Sequence, residues 1–215
     1  MTAAPLAQAR PRLRGVFHQV AAPLTLGVGL LLIQGAATAR GAWAVAVFVA
    51  SLVVMFTISA VYHRVTWRPA ARARMRRADH AAIFVLIAGS ATPFALLTLP
   101  PAAAERALLI AWIGAAIGIG KALLWVTAPR WVGTGISFAL GWALVTQFGP
   151  AADVLSRGQI ACVFAGGAAY TLGGVAYAVG RPNPWPGVLG YHEVFHVLTL
   201  VAAGLHLAVV AQLAA

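Results

Sequence analysis

The chain has 215 residues, of which 61% are hydrophobic and only 9% are charged. Soluble domains carry about 25% charged residues, so the composition excludes a soluble globular domain and predicts an all-α polytopic membrane protein. The formal net charge of +11 would suggest a nucleic-acid partner in a soluble protein. Here the arginines lie between apolar runs, where membrane topology requires them, so no nucleic-acid partner is expected. A single cysteine, Cys162, excludes an internal disulfide and a multi-cysteine metal site.

Seven apolar runs predict seven transmembrane helices in one membrane domain over residues 1–215, preceded by a short basic tail at 1–16. The expected spans are 17–37, 41–63, 79–99, 106–126, 131–148, 158–179 and 189–213. Each run is close to the ~20 residues that cross a bilayer as a helix. The first run could instead be a signal peptide, but it exceeds the roughly 7–15 apolar residues of a signal core. A retained span is therefore favoured. The arginines at 64–77 are expected in a short loop.

The distribution of Lys and Arg predicts the orientation of the bundle. With a cytosolic N-terminus, twelve of these residues fall on the inner side, and only Arg40, Arg106 and Arg157 fall outside. The positive-inside rule thus predicts a cytosolic N-terminus and an external C-terminus, in a bacterial inner membrane. The cytoplasmic ends of the second, third and seventh spans then lie in one layer.

Polar residues at those three ends predict a metal site. His192 and His196 are four residues apart, as are Ser59 and His63, so each pair shares one helix face. Zinc takes imidazole nitrogens at about 2.0–2.1 Å and keeps one position for water in catalytic sites. We therefore predict that His63, His192 and His196 bind Zn²⁺. Asp79 is the expected base for the zinc-bound water, and Ser59 would hold that water or a substrate oxygen.

Three motifs also carry a family resemblance: SAVYH at 59–63, DHAAI at 79–83 followed by AGSATP at 88–93, and GYHEVFH at 190–196. Together they resemble the bacterial hemolysin III family, which is related to the progestin and adiponectin receptors and, more distantly, to alkaline ceramidases. The resemblance implies a seven-helix bundle with zinc held by His63, His192 and His196. It also implies that Asp79 meets the zinc through a water, with Ser59 nearby. Relatives are assigned lipid-amide hydrolysis, receptor signalling or membrane lysis.

Several of these residues have alternative interpretations. His192-Glu193-x-x-His196 matches the H-E-x-x-H pattern of zinc proteases, in which the Glu is the general base. His206 is the remaining downstream ligand candidate, but it lies about 15 Å further along a regular helix. The protease is therefore the least favoured hypothesis, and Glu193 would instead pair with an arginine of the inner loops.

For the other titratable residues, structural roles compete with ligation. Asp79 could be a helix N-cap or pair with Arg76 or Arg77. A structural role is expected for His80, and an interfacial position for His18.

The leading hypothesis is a zinc-dependent hydrolase of a lipid-like amide or ester, with membrane lipids as partners and a lipid substrate entering from the bilayer. The alternative is a zinc-stabilised receptor or membrane sensor without turnover. A lytic protein is less favoured, because the polar residues cluster at one end of the spans. The oligomeric state is left open by the sequence.

Overall fold

A computed structural model of the protein describes residues 11–147 and 149–215. Arg10 and the beginning of the predicted basic tail lie outside these residues. Within the described ranges the chain forms seven α-helices and a short 3₁₀ helix, with no strand. The helices are α1 (Val16–Gln34), α2 (Ala39–Arg64), α3 (Pro69–Thr98), α4 (Pro101–Leu124), α5 (Arg130–Val145), α6 (Arg157–Val179) and α7 (Tyr191–Ala214), with the 3₁₀ helix at Gly149–Asp153.

The length and apolar composition of the helices confirm the predicted polytopic membrane protein. Six of them are long and apolar enough to cross a bilayer. The exception is α5, whose 16 residues rise about 24 Å, less than the hydrocarbon thickness of about 30 Å. This helix ends at Val145, before the predicted limit of 148, and the chain continues into the 3₁₀ helix.

The arginine-rich stretch before Asp79 is helical, which corrects the predicted loop. The helix α3 begins at Pro69, one residue after its N-cap Arg68. Proline is favoured in the first turn of a helix, and arginine is a good helix former, so nothing in this stretch prevents an early start. Asp79 consequently lies inside α3, and its alternative interpretation as a helix N-cap is wrong.

The core lies where α2, α3 and α7 meet. Large side chains of α2, among them Phe48, Leu52 and Phe56, are almost completely buried against Leu86 of α3 and Val210 of α7. These helices are packed on several sides, whereas one flank of α1 exposes large apolar side chains such as Leu24 and Leu31. Exposed apolar side chains on a membrane helix are the surface expected to contact lipid.

Glycine permits the closest approach between α3 and its neighbours. A Cβ atom on Gly118 of α4 would lie 2.2 Å from Cδ1 of Phe84 on α3. A Cβ on Gly89 would likewise lie 2.3 Å from the Ser51 hydroxyl oxygen on α2. Small residues at helix interfaces let membrane helices pack backbone to backbone, and here they hold α3 between α2 and α4.

The antiparallel succession of helices brings distant residues to one end of the bundle. The N-termini of α1, α3, α5 and α7 meet the C-termini of α2, α4 and α6 there. A Cβ on Gly15, before α1, would lie 2.7 Å from the His63 Cβ at the end of α2. The Arg12 amide also donates to the Gly187 carbonyl before α7. We call this the basic end, because most of the Lys and Arg residues lie there.

Candidate metal centre

Three histidines meet at the basic end, one from the last turn of α2 and two from the first turns of α7. The Nε2 atoms of His63 and His192 are 3.1 Å apart. Each of the three, including His196, offers a ring nitrogen within 4.8 Å of the others. Two nitrogens on a tetrahedral zinc ion lie about 3.3 Å apart, given Zn–N bonds of 2.0–2.1 Å. The predicted residues are therefore together, in an arrangement that could hold one metal ion.

The surroundings of His196 support that fit. This side chain is only 2% exposed, and its Nδ1 atom is buried with no hydrogen-bond partner among the described residues. A buried polar atom without a partner costs about 1–3 kcal/mol. Several closely spaced imidazoles in an apolar bundle are expensive unless partners of this kind are supplied. A cation shared by the rings provides a partner for each nitrogen that binds it.

Asp79 and Ser59 lie beside the histidines rather than among them. The Asp79 Oδ2 atom is 4.0 Å from the His63 Nε2 atom, and the Ser59 hydroxyl is a near neighbour of the Asp79 carboxylate. Ser59 is one helical turn before His63 on α2, and it is 3% exposed. The carboxylate is therefore next to the histidine cluster and to Ser59, and outside the group of three ligand candidates.

Glu193 has a structural role that its sequence motif does not reveal. It is completely buried and forms an ion pair with Arg14. Its Oε2 atom accepts a hydrogen bond of 2.8 Å from the Gly190 amide at the start of α7. One carboxylate oxygen thus caps the N-terminus of α7, and the other is engaged by Arg14. The partner is an arginine, as expected, but it lies in the N-terminal segment before α1 and not in an inner loop. This pairing leaves Glu193 no position as the base of a protease.

The remaining downstream histidine is also occupied elsewhere. His206 lies near the Val163 carbonyl oxygen of α6, with its Nε2 atom 3.0 Å away. Its ring lies against Phe94 and Tyr170. It is therefore a contact between α6 and α7, and it is not part of the histidine cluster.

His18 is the residue of this site that the sequence did not predict. Beyond the interfacial position expected for it, the side chain is 1% exposed and stacks on His196, with ring centroids 3.9 Å apart and planes 8° apart. Neither ring nitrogen has a hydrogen-bond partner in the described part of the chain. One feature of the sequence could have indicated this position. His18 lies in the first turn of α1 at the basic end, at the same depth as His63, His192 and His196.

An apolar cavity of about 540 Å³ opens beside the cluster. At the basic end it is lined by His192, His196 and Asp79, and at the opposite end by Gly149 and Ala152. Its α6 lining runs from Tyr177 to Ile160, a rise of about 25 Å. Aromatic and aliphatic side chains of α3, α5, α6 and α7 form most of the wall. The cavity thus joins the polar cluster to a long apolar chamber.

Comparison with known proteins places the chain in a family. The family model described as "Haemolysin-III related" matches residues 6–207. The "Hemolysin-3 homolog" of Bacillus subtilis (strain 168) is 28% identical over 194 residues, covering 85% of this chain and 88% of the relative. The "Hemolysin-3" of Bacillus cereus is 26% identical over 188 residues, covering 86% of this chain and 83% of the relative. The chain is therefore a membrane protein that belongs to the haemolysin III family.

Proposed function

We propose that this protein is a zinc-dependent hydrolase of a lipid-like amide or ester in the bacterial inner membrane. The observation that carries the proposal is that three features meet at one place: the histidine cluster, the Asp79 and Ser59 side chains, and an apolar cavity. A cluster of three imidazoles lies beside Asp79 and Ser59. Two of the imidazoles, His192 and His196, line the polar end of a long apolar cavity together with Asp79 and Ser59. A structural metal alone requires neither the carboxylate nor the cavity.

Each residue of the cluster has a role in the proposed reaction. His63, His192 and His196 are the residues that would hold zinc, which supplies Lewis-acid activation of water and of a carbonyl oxygen when bound. Asp79, next to this set, accepts the proton of the attacking water and returns it to the leaving group. Ser59, a near neighbour of the carboxylate, would orient it by donating a hydrogen bond.

The cavity supports a lipid-like substrate. Ligand sites are mostly apolar, with a few polar groups that fix orientation, and this cavity has its polar groups concentrated at the basic end. An acyl chain would lie along α6, with its carbonyl at the histidine cluster. The length of the apolar lining, about 25 Å, covers most of the thickness of a bilayer core.

Replacing Asp79 with Asn tests the proposal. The amide cannot accept the proton, so we expect hydrolysis to fall by about 100-fold or more while bound zinc stays unchanged. Release of fatty acid from bilayer-reconstituted protein supplied with a total lipid extract is the measurement, together with metal analysis of the same samples. Asp153→Asn, an exposed change near the opposite end of the bundle, is the matched control. Unchanged lipid hydrolysis in Asp79→Asn would exclude the base.

The second candidate is a zinc-stabilised receptor or sensor without turnover. One observation favours it: the cluster joins the last turn of α2 to the first turns of α7, so a metal ion there would cross-link two core helices. In that case His63→Ala lowers the thermal stability in detergent. Asp79→Asn then has no effect on lipid hydrolysis, because the protein does not hydrolyse lipids. A pore-forming activity would instead produce conductance in liposomes that survives chelation.

A further inference from the structure

Two cationic side chains line the cavity at the same end as the histidine cluster. Lys121 is near the C-terminus of α4, and Arg130 is the first residue of α5. A Cβ on Gly133 of α5 would lie 3.2 Å from the Lys121 Nζ atom, so the ammonium group lies against α5 at the cavity wall. Arg130 is exposed at the rim. Exposed arginines of the same end, such as Arg74, do not line the cavity.

These cations have no carboxylate partner in the part of the chain that the structure describes. The carboxylates found beside a basic side chain there are Glu193, which pairs with Arg14, and Asp79, which lies 4.0 Å from the His63 imidazole. Arg130 instead lies over the ring of Tyr177, 5.9 Å from its centroid, and over that of Tyr191. An additional cation, Arg76, is close enough to repel Lys121 electrostatically. Lys121 and Arg130 therefore contribute positive charge to the polar end of the cavity that no carboxylate of the described residues within ion-pair distance neutralises.

Aromatic contacts connect this charge to the histidine cluster. The Tyr177 ring, over which Arg130 lies, has its centroid 5.4 Å from that of His192. His80, adjacent to Asp79 in sequence, lines the same region. A ligand group that contacts Arg130 and Lys121 would thus lie beside the cluster at the polar end. The rest of the ligand would extend into the apolar part of the cavity.

We propose that the cavity binds an anionic amphiphile, with a carboxylate or phosphate group held by Lys121 and Arg130 and a single hydrocarbon chain along α6. Arg forms directed, charge-assisted hydrogen bonds to both kinds of anion, and Lys acts as a point charge. The positive charge selects the anionic group, and the apolar wall selects the chain. As the substrate class of the enzyme, this assignment rests on the proposed hydrolase; as a binding preference it can be measured without turnover.

The test compares three ligands of equal chain length: hexadecanoate, hexadecyl phosphate and hexadecanol. Their affinities are measured for the zinc-supplied, full-length protein in nanodiscs by native mass spectrometry. We expect at least one anion to bind about tenfold or more tightly than the alcohol, because hydrogen bonds between charged groups are worth that much. The anion that binds more tightly identifies the headgroup class.

Variants assign the preference to the two cations. Lys121→Gln and Arg130→Gln should each lower anion affinity and leave hexadecanol binding unchanged, whereas Lys121→Arg should retain the preference. Arg74→Gln, which removes the same charge from an exposed position at the same end, is the control. If the preference for the anion survives in both Gln variants, it comes from the metal or the membrane, and the proposal is overturned. Equal affinity of the unmodified protein for hexadecanol and for both anions would also overturn it.

The outcomes separate this inference from the proposed hydrolase. If hydrolysis is absent but the Lys121-dependent anion preference is present, the binding site stands and the enzyme does not. If Asp79-dependent hydrolysis occurs on neutral lipids with no effect of Lys121→Gln or Arg130→Gln, the enzyme stands and the anion site is wrong.

Discussion

Adjacent residues of the first turn of α7 have different partners. His192 contacts His63 of α2, whereas Glu193 points to Arg14 and to the Gly190 amide. Neighbouring positions on a helix are about 100° apart, so His192 and Glu193 can have partners in different directions. Whether the Glu of an H-E-x-x-H motif is a base or a cap depends on what the rest of the chain puts next to it.

Removing the partner of Glu193 should therefore destabilise the protein strongly. In Arg14→Ala, the fully buried carboxylate loses its counter-charge, and breaking a buried ion pair in this way costs about 3 kcal/mol or more. We expect the melting temperature in detergent to fall by several degrees. Arg106→Ala, an exposed arginine near the opposite end of the bundle, should have little effect. Equal melting temperatures for the two variants would contradict the assigned role of Glu193.

At the scale of residues, the sequence predicted side chains that share a helix face and missed those that meet only through packing. The four-residue spacings identified His192 with His196 and Ser59 with His63, and the common depth of the helix ends brought the two pairs together. His18 belongs to a different helix and has no spaced partner. Its stacking on His196 depends on how α1 lies against α7, which no local pattern specifies.

At the scale of elements, hydropathy located the helices well and their ends less well. Arginines are compatible with a helix that emerges from the membrane, so α3 extends ten residues before the predicted start at Asp79. The opposite error occurred at α5, where the apolar run suggested a longer helix than the 16 residues that form. Hydropathy measures where a helix can be buried in lipid, whereas hydrogen bonding and turn residues decide where it begins and ends.

Helix contacts made by glycine give a prediction at this scale. In Gly118→Ala, the added methyl group would collide with the buried ring of Phe84, and overpacking of this kind costs about 1–3 kcal/mol. Gly120→Ala, two residues further along α4, meets nothing within 4 Å and should be neutral or slightly stabilising. Thermal unfolding in detergent compares the two variants. A Gly118→Ala protein at least as stable as Gly120→Ala would show that α3 and α4 are not packed this closely.

For the molecule as a whole, the alternating direction of the helices determines which residues share an end of the bundle. The residues of the candidate metal centre and most of the arginines lie at the same end of the bundle. If the positive-inside rule holds, that end faces the cytosol, and so does the polar end of the cavity. The hydrocarbon part of a bound lipid would then extend toward the external leaflet along α6.

Topology reporters test this orientation. Alkaline phosphatase is active only outside the cytosol, so a fusion after Ala215 should be active, and a fusion in the loop between α6 and α7 should be inactive. A green fluorescent protein fused at the same two positions should give the reverse pattern. Phosphatase activity at the loop between α6 and α7 would place the candidate metal centre on the external side and contradict the predicted topology.

The claim on which the proposed chemistry depends is that His63, His192 and His196 together bind one zinc ion. Its most direct test is the metal content of the purified protein, measured by elemental mass spectrometry and normalised to protein concentration. We predict about one zinc per chain in the unmodified protein, loss of that zinc in His63→Ala and in His196→Ala, and full retention in His206→Ala, which changes a partly buried histidine outside the cluster. A protein without bound metal, or one whose zinc survives the His63 and His196 substitutions, would contradict the account.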